Sequence, residues 1–182
     1  MDNLKFPIGK FDLEKEITVL ELPRLIKEIA IFPDKLNDLV ATLSPEQRNT
    51  PYREGGWTVN QVVHHLADSH MNAHIRFLLA LTEDEPIIKP YREDLFADLA
   101  YINHMPMAVS MAVIKSVHHR WAFLLQSLSM EQFERTYIHP QYNRKYTLKQ
   151  ALGSYAWHGK HHLAHITQLI ARNFDKSSLG ES

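Results

Sequence analysis

The 182-residue chain sets 20 basic against 21 acidic side chains, a formal charge of −1 at pH 7, and contains no cysteine. That balance excludes the basic footprint of a nucleic-acid binder, and the missing cysteines exclude disulfides, thiolate zinc sites and a cysteine nucleophile, in keeping with a cytoplasmic protein. The length suits a single domain over residues 1–182 whose core needs no staples, and there is neither a signal-peptide apolar region nor a membrane-spanning run of about 20 apolar residues.

Four long helices are expected, at about 23–43, 58–81, 107–128 and 147–172. The first, Pro23 to Leu43, repeats apolar residues at three- and four-residue steps through Leu25, Ile26, Ile29, Leu36, Leu39, Val40 and Leu43. Pro33 interrupts it and is expected to kink or split it. The second, Thr58 to Leu81, carries Val62, Leu66, Ala73, Phe77 and Ala80 on one stripe. Residues 82–106 form a long connector with three prolines and a helical turn expected around Asp94–Leu99. The third helix, Met107 to Leu128, offers Val109, Val113, Val117, Trp121, Leu124 and Leu128 as its core stripe. The fourth, Thr147 to Arg172, offers Leu148, Leu152, Tyr155, Ile166, Leu169 and Ile170. At 1.5 Å per residue these are rods of roughly 30–40 Å.

Two of the helix starts are T-x-x-Q capping boxes, Thr58 to Gln61 and Thr147 to Gln150. Leu43-Ser44-Pro45-Glu46-Gln47 and Leu128-Ser129-Met130-Glu131-Gln132 precede them in the same order, so the two halves of the chain echo each other as helix–loop–helix hairpins. A connector long enough to run the height of a bundle lets helices two and three lie parallel. The expected fold is therefore all-α, a four-helix bundle of up-down-down-up topology.

Twelve histidines are the compositional anomaly. In the fourth helix His158/His162 and His161/His165 are both i, i+4 pairs, and either could clamp a metal through two imidazoles. Measured from the apolar stripe at about 100° per residue, the first pair averages roughly 70° and the second roughly 130°. The first pair thus flanks the core while the second faces solvent. On the second helix His65 sits beside Val62 and Leu66, with Asp68 one turn on. Three histidines leave a coordination position for water or substrate. Imidazole suits zinc and nickel, zinc first, and Asp68 is placed as a hydrogen-bond partner or general base. The plainer alternative is that these histidines are hydrogen-bonded core-edge residues, that Asp68 is a solvated carboxylate, and that Trp57, Trp121, Tyr155 and Trp157 simply pack.

Gly56-Trp57-Thr58, His65-Leu66-Ala67-Asp68 and the late His158-x-x-x-His162 resemble the DinB-like superfamily, most nearly its YfiT-type branch of metal-dependent hydrolases. The likeness runs from about Leu43 to Asn173, with a similar Phe-Pro-Ile-Gly start at Phe6–Gly9. It implies the up-down-down-up bundle, a divalent metal on His65, His158 and His162, a small-molecule substrate and a homodimer. Where many such chains follow the last ligand with Arg-Gly-Gln, this one has Leu163-Ala164-His165, which brings His165 and its partner His161 back into consideration. Three functions compete: metal-assisted hydrolysis; metal-dependent S-transfer from a low-molecular-weight thiol of the bacillithiol type, with Arg53, Arg76 and Arg120 as candidates to hold an acidic cosubstrate; and a non-enzymatic metal-binding bundle.

Overall fold

The computed structural model describes residues 2–174. Helix α1 spans Leu22–Ala41, α2 Val59–Thr82, α3 Met107–Ser127 and α4 Leu148–Asn173. Thr58 and Thr147 cap α2 and α4 through the expected boxes, each hydroxyl accepting from the glutamine amide three residues on. Ser44 and Ser129 do the same for one-turn helices at Pro45–Arg48 and Met130–Phe133. Pro33 does not split α1, which runs unbroken through it.

Two apolar clusters fix the helix directions. One gathers Leu22 and Leu25 from the start of α1, Phe77 and Ala80 from the end of α2, Leu125 from the end of α3 and Leu148 from the start of α4. The other gathers Leu36 and Val40, Val59 and Val62, Met107, and Ile166 and Leu169, which are the opposite ends of the same helices. Hence α1 and α4 run one way, α2 and α3 the other: up-down-down-up. The main packings are α1 with α3 and α4, and α2 with α3 and α4, so sequence-adjacent α1 and α2 face each other across the bundle diagonal.

On α3 the buried residues are Met107, Ser110, Ile114, His118, Trp121, Ala122 and Leu125. The expected stripe is met in part: Trp121 is fully buried and Val113, Leu124 and Leu128 pack half-buried against the core, but Val109 is half exposed. This helix is apolar on two sides, and the buried side carries Ser110 and His118, two polar residues that turn a hydrophobicity-based wheel the wrong way.

The sequence also gave no warning of a small hairpin, β1 Thr136–His139 and β2 Arg144–Thr147, antiparallel with Tyr137 opposite Tyr146. Its four-residue strands are too short to register as a periodicity of two. The other half of the chain has a vestige of it, the antiparallel bridge Pro51↔Thr58 before α2. Ile138 exchanges backbone hydrogen bonds with the connector, donating to Pro86 and accepting from Ile88. The connector is thereby pinned, and its short helix Glu93–Ala97 is held against α2, where the Gln61 side chain donates to the Ala97 carbonyl at 3.1 Å.

Candidate metal centre

Between the two apolar clusters lies a layer of histidines. His65 comes from α2, His158 and His162 from α4. One ring nitrogen of each lies within 4.8 Å of the others, the one such group of three potential ligands among the described residues. His158 Nε2 is 3.2 Å from both His65 Nε2 and His162 Nε2. Two nitrogens bound to one tetrahedral zinc at about 2.0–2.1 Å stand roughly 3.3 Å apart, so the spacing fits a shared ion. Desolvation pushes the His65 pKa down to about 4, with the His161 charge adding to it, and pushes His158 and His162 well below the ordinary histidine value. All three rings are therefore neutral at pH 7, the state in which imidazole offers a lone pair.

The tautomer of His158 is fixed from a distance. His118 Nδ1 lies 2.6 Å from the Ile29 carbonyl, which can only accept, so Nδ1 carries the proton and Nε2 accepts. His70 Nδ1, 2.6 Å from His118 Nε2, must then donate to it. That leaves His70 Nε2 to accept from His158 Nδ1 at 3.0 Å. The proton on His158 Nδ1 leaves its Nε2 bare, turned toward His65 and His162. His70 and His118 are fully buried, and desolvation keeps both neutral. Pro33 supplies the end of the chain. It has no N–H to give the carbonyl four residues back, which is that of Ile29, so this oxygen is left for His118.

The second histidine pair is not where the wheel put it. His161 and His165 are buried, at 8% and 3% exposure, because tertiary elements outside α4 cover them. His165 stacks on Tyr52 with centroids 3.9 Å apart, and its Nε2 donates to the Lys5 carbonyl. His161 lies between Phe6 and Trp157. Neither joins the group formed by His65, His158 and His162. His64 also turns from the triad but into the bundle, against Ser110 of α3 at 2.7 Å. Of the arginines, Arg120 is exposed and Arg53 half-buried, whereas Arg76 is buried.

Two cavities reach the triad. One, of ≈ 730 Å³, ends on His158 and is walled by Tyr91, Tyr137, Tyr155 and Trp157, with Arg76 at its side. The other, of ≈ 390 Å³, reaches His65, His158 and His162 beneath Trp57. Glu93 lines both. Although this residue is exposed overall, its carboxyl pKa is raised, by desolvation first and by the neighbouring Asp94 charge second. Asp68 lines neither cavity; it is half-buried, with its carboxyl raised by desolvation. Glu93, His70 and His118 went unnoticed in the sequence. Only tertiary structure brings the connector over the triad, and a wheel for α2 cannot show that His70 meets a histidine of α3.

Residues 29–166 match the model of the DinB superfamily. A protein of Oceanobacillus iheyensis, provisionally named a metal-dependent hydrolase, is 49% identical over 170 residues, covering 93% of this chain and 98% of its own. A Bacillus cereus protein of the same provisional name is 48% identical over 172 residues, covering 94% and 98%. The solved structure of YfiT from Bacillus subtilis, described as a probable metal-dependent hydrolase with an unusual four-helix bundle topology, matches with a TM-score of 0.90 at 44% identity over 93% of this chain and 97% of its own.

Proposed function

Since the chain belongs to the DinB superfamily, we propose that it is a metal-dependent hydrolase of small molecules, with His65, His158 and His162 holding one divalent ion, zinc or nickel. The observation that carries this is the convergence of three neutral imidazoles at the meeting point of two open cavities. A closed fourth protein ligand would mark a structural site, and none stands in the group. When bound, the ion supplies a water acidified toward neutral pH and a Lewis acid for a carbonyl or phosphoryl oxygen.

The chain's own residues do the rest. His70 holds the His158 ring in the ligating tautomer. Trp57, whose ring centroid is 4.7 Å from that of His65, shields the smaller cavity from bulk water. Glu93 takes the proton from the attacking water and returns it to the leaving group, a role toward which its pKa, raised by desolvation and the Asp94 charge, is shifted. The proton role expected of Asp68 passes to Glu93 because Asp68 lines neither cavity. We include in the proposal a cytoplasmic homodimer. Supporting it, Met71 and Ile75 of α2 and Val109 and Phe123 of α3 are exposed, and no described helix is long and apolar enough to cross a membrane.

Screening ester, amide and phosphoester substrates with the metal-loaded chain tests the reading. Turnover that a chelator abolishes and His65→Ala lacks supports it; turnover indifferent to both sinks it. One observation favours a second reading: the two cavities share His158 and Glu93, so two reactants could meet there. That is the requirement of a low-molecular-weight thiol S-transferase, in which the thiol would reach the ion as thiolate. Consumption of an electrophile only when bacillithiol or a similar thiol is present would select it.

A further inference from the structure

Arg76 sits three turns along α2 from His65 on the same helix face, roughly 16 Å of helix away. It is 9% exposed, and among the described residues no carboxylate lies within ion-pair distance of it. Among the described residues its hydrogen-bond partner is the hydroxyl of Tyr155, to which Nη1 donates at 2.9 Å. Arg76 lines the ≈ 730 Å³ cavity that reaches His158. A desolvated guanidinium without a counter-ion is unfavourable, and its planar fork matches an oxyanion.

The surroundings complete an anion site. Because the Tyr155 oxygen accepts from Arg76, its own proton is free to be donated into the cavity. Burial raises the phenol pKa values of Tyr155 and Tyr137, so both remain hydroxyl donors at neutral pH, while the Arg76 charge pulls the other way. Arg92 and Asp94, also on the wall, neutralise each other at 2.6 Å. The cavity is therefore lined by a buried cation with no carboxylate partner, by His158 and Glu93, by the aromatic rings of Tyr137 and Trp157, and by Lys10, whose Nζ lies over the Phe6 ring at 5.0 Å.

We propose that this cavity takes an elongated carboxylate substrate, its carboxylate on Arg76 and Tyr155, its apolar middle against Tyr137 and Trp157, and its reacting bond at His158. The proposal rests on the hydrolase reading for what happens at His158; the anion site itself does not.

The test is calorimetric and NMR titration of the full chain, metal-loaded and metal-free, with 4-phenylbutyrate and its neutral isostere 4-phenylbutyramide. The acid is expected to bind both forms, at least tenfold tighter than the amide. Arg76→Met should abolish that preference, Arg76→Lys should keep part of it, and Tyr155→Phe should weaken the acid severalfold, with circular dichroism confirming that each is folded. Equal affinity for acid and amide in the wild-type chain overturns the proposal without any variant, as does failure of the acid to bind at millimolar concentration or undiminished preference in Arg76→Met. Metal content measured on the same samples separates the two claims. A chain that discriminates acid from amide but takes up no ion refutes the metal reading alone, and the converse refutes the anion site alone.

Discussion

The carbonyl of Ile29 accepts the Nδ1 proton of His118 at 2.6 Å, and Pro33, four residues on, has no N–H to compete for that oxygen. A helix-breaking residue in the middle of α1 thus anchors a hydrogen-bond chain that passes through His118 and His70 to His158. The helix survives because Pro33 and its neighbours Ile29, Phe32 and Leu36 are buried, so tertiary packing outweighs the lost bond.

Replacing Pro33 with alanine restores an N–H that competes for the Ile29 oxygen. Alanine is favoured in a helix interior by up to about 3 kcal/mol over proline, against which stands the lost burial of the ring. The metal-free chain is expected to melt near the wild-type temperature, while its zinc affinity in chelator competition falls on the order of tenfold, as for removal of an outer-shell partner. His118→Phe should weaken zinc in the same way. Unchanged affinity in both variants would disconnect the relay from the metal.

The buried histidines make the metal-free chain acid-labile. His118 and His65 both have folded pKa values of about 4, lowered chiefly by desolvation, against 6.5 in the unfolded chain. Below pH 6.5 the unfolded state binds protons that the folded state refuses, so stability is fully present above that value and is lost as pH falls toward 4. Each group contributes at most about 3 kcal/mol. Urea midpoints at pH 7.5, 6 and 5 should fall steadily; a flat series would mean the rings are not held neutral.

Gly159 allows Phe32 to lie against α4. A Cβ there would meet the Phe32 ring at 2.8 Å, and that ring is wedged against His70 and His118, with centroids 5.2 and 5.1 Å away. Gly159→Ala should therefore destabilise by about 1–3 kcal/mol, despite the better helix propensity of alanine. Denaturant unfolding checks the sign; a more stable variant would show that Phe32 has room to move.

Once a substrate is in hand, Glu93→Gln separates proton handling from metal holding. Its metal content should match wild type, while kcat/KM drops about 10²–10⁴-fold and the acidic limb of the pH profile disappears. Asp68→Asn, whose carboxyl is not on either cavity wall, should leave that limb in place.

The long helices were legible because α2 and α4 start in capping boxes and because α1, α2 and α4 repeat apolar residues at helical spacing. The triad was legible for the same reason: i, i+4 spacing on α4 and a core-flanking histidine on α2 are properties of single helices. What the sequence hid depends on contacts between elements. The buried face of α3 is turned away from Val109, the start of the expected stripe, because Ser110 and His118 are buried there as partners of His64 and His70. His161 and His165 lie under Phe6, Tyr52 and Lys5, far away in sequence. Glu93 is brought to the site by a connector held by Ile138, on a hairpin too short to be expected, and by the Gln61 bond to Ala97.

Elemental analysis of tag-free protein, wild type beside His158→Ala and His161→Ala, tests the central claim most directly. The triad predicts about one equivalent of zinc or nickel per chain in the wild type and in His161→Ala, and its loss in His158→Ala. Full retention by His158→Ala, or loss confined to His161→Ala, would contradict it.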